Sequence, residues 1–254
     1  MGDTDKKQNL PNSTMSLGDH LEELRQRLIY ALAGLVICAV VGFVFGPKII
    51  TFIEKPYIGV MGSEARLQTL APTDGFISYV KIALITGLII SSPWVFYHLW
   101  MFVAAGLYLN EKRYVYLAAP FSAALFIAGA LFFIIVVAPL TLKFLVGFNE
   151  RLLGVKSQFT FQHYIAFVTH LMLVFGLAFQ TPTAIFFLNR TGLVSLQQLR
   201  RSRKFVLLGV FVVAAMATPP DVVSQVTLAI PLYLLFELGI LLCYFTNRRK
   251  HHSK

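Results

Sequence analysis

The chain has 254 residues, of which 57% are hydrophobic and only 13% charged; its net charge is +10 and its mean hydropathy is +0.70. A soluble domain carries roughly twice that charged fraction, so the composition excludes an ordinary soluble protein and points to a polytopic, all-α integral membrane protein. In that class Lys and Arg chiefly set orientation, and the positive charge is no argument for nucleic acid.

Residues 1–15 are a polar tail of both charge signs, without the short apolar core and small-residue cleavage site of a signal peptide. Residues 16–245 read as a single membrane domain. Its first segment, His20–Leu28, puts Leu21, Leu24 and Leu28 on one helical face and Glu22, Glu23, Arg25 and Arg27 on the other. Glu23 precedes Arg27 by four residues, the favourable order for a helical ion pair. The segment reads as a helix lying along a membrane surface and feeding the first span, or else as a solvated first turn with capping charges.

Six apolar runs follow, at about 28–45, 74–104, 114–138, 161–188, 205–218 and 222–245. Gly46-Pro47 ends the first, and 47–73 is a mixed-polarity loop whose run Ile49–Ile53 is a short amphipathic helix candidate. Thr73-Asp74 is an N-cap signal for the second. That run is too long for a straight span of about 20 residues, so it tilts, kinks at Ser91-Ser92-Pro93, or extends past the bilayer. Pro139 closes the third, and 140–160 is a second mixed loop. Gln180-Thr181-Pro182 interrupts the fourth. The fifth is short of the roughly 30 Å hydrocarbon core, an accommodation local thinning allows. Residues 246–254 form a basic tail.

Fifteen of the Lys and Arg fall in the N-terminal tail, 105–116, 189–204 and the C-terminal tail, against six in the alternate loops. The bias puts both termini in the cytoplasm. No internal repeat is evident, which disfavours an inverted-repeat transporter.

No nucleotide-binding loop, nucleophile elbow or zinc-protease motif is present. The histidines lack thiolate or carboxylate neighbours at ligand spacing, and Cys38 and Cys243 sit inside apolar runs as packing residues. No catalytic set, metal site or cofactor is expected. The informative residues are polar groups in costly places: Glu23 and Glu111 at the bilayer edge, Glu237 and Gln180 inside spans. Each has a plainer reading, as solvated loop charge, as a partner for a neighbouring helix, or as relief of a Pro kink.

The blocks HLEELRQRL at 20–28, FVAAGLYLNEKR at 102–113, FGLAFQTPTAI at 175–185 and TPPDVVSQVTLAIPLYLLFELGI at 218–240 resemble the TatC family of the twin-arginine protein translocase, from about Ser16 to Phe245. The resemblance implies six spans with both termini inside, a cupped shape, and short fifth and sixth helices. It implies a receptor in the bacterial cytoplasmic (inner) membrane for signal peptides bearing two consecutive arginines. That receptor works with single-span TatA- and TatB-like partners, further copies of itself and membrane lipid. Together they export folded proteins on the proton motive force.

The family's recognition patch falls on Glu23, Leu24, Arg25, Arg27, Phe102, Glu111, Lys112 and Arg113. Its partner-helix surface falls on Thr218 and Gln225, to which the intramembrane Gln180 is added. Its outer cap falls on Pro56 and Asp221. Two positions depart from the pattern: Gln180 stands where the family has a glutamate, and Ala105 where it has a proline. Physically, each signal arginine presents a planar fork suited to a carboxylate, and Glu23 and Glu111 are the two acids on the expected side. The rival class is a small-solute or ion transporter, which would use Glu237, Gln180 and Lys81. A membrane hydrolase ranks last, having no nucleophile–base pair.

Overall fold

The computed structural model describes residues 17–105, 112–217 and 222–251. Their elements are all helices: α1 (Leu17–Val44), α2 (Gly46–Met61), α3 (Asp74–Ala105), α4 (Lys112–Phe132), a π turn (Phe133–Val137), α5 (Ala138–Leu152), α6 (Phe161–Ala178), α7 (Thr181–Arg190), α8 (Leu196–Arg201), α9 (Arg203–Ala217) and α10 (Val222–His251). Among the described residues, five stretches are long and apolar enough to cross a bilayer: His20–Val44, Asp74–Ala105, Val115–Leu152, Phe161–Arg190 and Gln225–Phe245. The fifth apolar run becomes α9, fifteen residues or about 22 Å of helix. The last span's helix continues past Phe245 into the basic tail.

Several sequence expectations are corrected. His20–Leu28 is not a separate surface helix: α1 is one uninterrupted helix from Leu17 to Val44, because no Pro or cap residue separates the charged turns from the apolar ones. The 47–73 stretch is helical over its first half. Pro47 lies in the first turn of α2, where its missing N–H costs nothing, so Gly46-Pro47 ends one helix and starts the next. The third run does not stop at Pro139. The turn just before it widens to a π register, with the Ala138 N–H reaching the Phe133 carbonyl, and Pro139 enters the first turn of α5. Widening moves away the carbonyl that a proline ring would otherwise strike.

Asp74 begins α3, but its carboxylate turns backwards. Oδ2 accepts from the N–H groups of Leu70 (3.2 Å) and Ala71 (2.9 Å), while the Thr73 carbonyl takes the first helical bond from Ile77. Helix α3 passes through Pro93 unbroken because Ser92 Oγ donates to the Ile89 carbonyl, 2.7 Å away. That carbonyl lies four residues before the proline and has lost its usual donor. No such repair occurs before Pro182, and the fourth run splits into α6 and α7 at Phe179-Gln180.

The broadest helix interface joins α1 to α3. Small residues let the backbones approach, as is common where lipid supplies no hydrophobic drive. A Cβ on Gly87 would lie 2.5 Å from Ala39 Cα. The same interface is tied by Tyr79 Oη donating to the Phe43 carbonyl (2.6 Å) and Trp94 Nε1 donating to the Tyr30 carbonyl (2.8 Å). The core centres on Phe133, Tyr164, Ile165, Leu171 and Phe175, all fully buried. Tyr164 Oη donates to the Ile53 carbonyl at 2.7 Å and so ties α6 to α2. Backbone bonds between Gln68 and the Phe159–Phe161 stretch join the two loops at that end.

Candidate functional site

The recognition residues named from the sequence gather where α1 begins and α3 ends. His20 stacks on Phe102 with ring centroids 4.6 Å apart, which brings Phe102 to the charged turns of α1. One turn on, Arg27 Nη2 contacts Glu23 Oε1 at 3.3 Å, both side chains being about three-quarters covered. The second carboxylate oxygen of Glu23 is buried and has no hydrogen-bond partner among the described residues. Arg25 pairs with Glu22 at 3.8 Å in the open, where such a pair contributes little. Leu21, Leu24 and Leu28 are exposed, so among the described residues this leucine face is left largely uncovered.

Below Arg27 lies a group that the sequence left unassigned. His98 is 5% exposed, and neither ring nitrogen has a partner among the described residues. Rings of Tyr30, Trp94 and Tyr97 surround it at centroid distances of 5.6, 4.6 and 5.4 Å. The Arg27 charge acts on the same ring. Aromatic spacing along α3 was the available signal, since residues 94, 97 and 98 share a face with period near 3.6.

Glu111, Thr218 and Asp221 lie outside the described residues. Lys112 and Arg113 open α4. Pro56 is buried in α2, at the far end from Glu23. The two amides expected to face partner helices are engaged inside the chain. Gln180 Nε2 donates to the Ser122 carbonyl on α4 at 2.8 Å, and Gln225 Nε2 to the Phe211 carbonyl on α9 at 2.9 Å. Ser122 is a junction, because its hydroxyl also accepts from Trp100 Nε1 at 2.9 Å.

Glu237 is paired as well. Its Oε2 lies 2.8 Å from Arg203 Nη2, and its Oε1 accepts from Tyr233 Oη at 2.9 Å. The Tyr233–Glu237 spacing of four residues was legible as a helical pair; the Arg203 contact, from the start of α9, was not. On α2, burial raises the Glu54 carboxyl above its usual range, and burial, then the Glu54 charge, raises the Tyr57 phenol.

The comparisons with known proteins agree with one another. The Sec-independent protein translocase protein (TatC) family model matches residues 19–231. The chain is 37% identical over 236 residues to the Sec-independent protein translocase protein TatC of Aquifex aeolicus, covering 93% of this chain and 98% of that one. The chain belongs to the TatC family. It is therefore a component of the Sec-independent protein translocase and a bacterial membrane protein, not an enzyme. A TatC from Desulforapulum autotrophicum is 34% identical over 223 residues, 88% of this chain and 82% of that one. A crystal structure of a twin arginine translocase receptor, TatC, superposes with a TM-score of 0.80 at 37% identity, covering 88% of this chain and 98% of that chain. Every TatC position named from the sequence, from Glu23 to Gln225, falls inside the matched range.

Proposed function

We propose that this TatC-family chain is the signal-peptide receptor of a twin-arginine translocase, set in a bacterial inner membrane with both termini in the cytoplasm. The observation that carries the reading is the half-satisfied carboxylate of Glu23. One oxygen holds Arg27 and the other is buried without a partner among the described residues, which is costly unless a further group supplies a donor. A guanidinium supplies two parallel N–H groups and fits such a carboxylate edge-on.

The signal's first arginine exchanges with Arg27 on Glu23, and its second is taken by Glu111. The His20–Phe102 stack holds the end of α3 against the turn of α1 that carries Glu23. Lysine keeps the charge but lacks the fork, which gives the discrimination. Leu24 and its neighbours Leu21 and Leu28 offer the apolar ledge on which the hydrophobic part of a signal lies. Arg25, Lys112 and Arg113 repel arginines that arrive in the wrong register.

TatA- and TatB-like single-span partners and further copies of this chain complete the machine, which the proton motive force drives. The docking of those partners falls to Thr218, Gln225 and Gln180. Because the Gln180 and Gln225 amide nitrogens already bond within the chain, a partner would meet their oxygens. The solute-transporter reading is weakened, since two of its three residues, Glu237 and Gln180, each have an internal bond.

Crosslinking of a twin-arginine signal peptide to Glu23→Ala and Glu111→Ala variants tests the reading. Loss of the adduct in both supports it, and undiminished adducts in both reject it.

A further inference from the structure

At the end of the bundle away from Glu23, a groove of about 670 Å³ runs between α2 and the π turn with the start of α5. Pro56 and Val60 form one wall; Ile135 and Leu140 form the other. The π turn makes this second wall. Its extra residue per turn rotates Ile135 and Val136 outward, leaving them 62% and 47% exposed while their neighbours Ile134 and Val137 are buried. Such bulges recur at functional sites.

Each wall also contributes one lysine, Lys55 from α2 and Lys143 from α5. Both are exposed, and among the described residues neither has a carboxylate within ion-pair distance. The acid beside them in sequence, Glu54, lines a different cavity with Tyr57 and Arg66. The Lys55 ammonium lies 5.5 Å from the Phe52 ring centroid. That contact leaves its N–H donors free, because a ring face takes the charge and not the hydrogen bonds.

We propose that this groove is a binding site for one anionic phospholipid. Its acyl chains lie along the two apolar walls, and its phosphate sits between the Lys55 and Lys143 ammonium groups. Charge selects the occupant. An apolar partner helix would leave two ammonium groups facing hydrocarbon, which is expensive. A zwitterionic lipid brings its own cation to the same place. Only a lipid with net negative charge answers both the apolar walls and the pair of lysines. Held there, it bridges α2 to α5 and so steadies the helix that carries Pro56. The site is independent of signal recognition at the other end.

The test is native mass spectrometry of the purified full chain in detergent, with added dioleoyl-phosphatidylglycerol or dioleoyl-phosphatidylcholine. Two lysines near a charged headgroup predict a preference for the glycerol lipid of roughly 10- to 30-fold. The Lys55→Gln/Lys143→Gln double variant should lose that preference, whereas Lys156→Gln, outside the groove, should keep it. Ile135→Trp, which fills the groove without touching the lysines, should weaken retention of both lipids. Unchanged thermal unfolding in the double variant shows that the loss is not misfolding. Equal retention of the two lipids by the wild type, or an undiminished preference in the double variant, would overturn the proposal. A lipid-free wild-type dimer that Ile135→Trp dissolves would also overturn it, by assigning the groove to a second copy.

Discussion

The hydroxyl of Ser92 donates to the carbonyl of Ile89 at 2.7 Å, replacing the backbone donor that Pro93 lacks. This bond supplies a donor to the carbonyl that the proline frees within α3, a continuous helix of 32 residues. A buried carbonyl left unpaired costs about 1–3 kcal/mol. Ser92→Ala should therefore lower the stability of the detergent-solubilised chain by that amount in a thermal or denaturant unfolding assay. Adding Pro93→Ala restores the missing N–H and should recover most of the loss. Additive losses in the double variant would contradict the assignment.

The Gln180 amide and the Ser122 carbonyl make the corresponding link across α7 and α4. The resemblance implies a glutamate at this position in the family, but an ionised carboxylate cannot donate to a carbonyl. The amide here acts as a staple within the chain. Gln180→Leu should destabilise the isolated chain by about 1 kcal/mol, before any partner is present. If Gln180 served only a partner helix, the isolated variant would unfold as the wild type does.

Glu54 gives a pH dependence. Its carboxyl is raised by burial, so the folded chain holds this proton more tightly than the unfolded chain. The resulting stability is fully present below the ordinary value of 4.5 and is lost as pH rises through the folded-state value. Unfolding measured from pH 4 upward should show a decline in the wild type that Glu54→Gln lacks. Parallel profiles would contradict this.

Much of the architecture was legible because a bilayer imposes long apolar runs, and 13% charge leaves few ways to arrange them. What the sequence could not resolve was how each proline would be treated. Pro139 and Pro182 read as breaks and Pro93 as one possible kink among three alternatives, yet of these only Pro182 follows a break. The outcome at Pro93 depends on one serine rotamer, and at Pro139 on a widened turn, neither of which has a periodicity. The recognition cluster was half legible. Glu23 and Arg27 are one turn apart and could be paired on paper. The His20–Phe102 stack and the ringed His98 depend on how α1 and α3 cross, set by Gly87 against Ala39. Glu237 was singled out as a costly charge, but its partner Arg203 lies 34 residues away on another helix.

The most direct measurement is the affinity of a twin-arginine signal peptide, and of its twin-lysine counterpart, for the purified wild type and for Glu23→Gln. A charge-assisted hydrogen bond contributes about 1.5–3 kcal/mol, or roughly 10- to 100-fold in affinity. Glu23→Gln should weaken the arginine peptide by that factor and the lysine peptide, which keeps the charge but makes no fork, by less, so that discrimination narrows. Equal affinity of both proteins for the arginine peptide, with discrimination intact, would contradict the account.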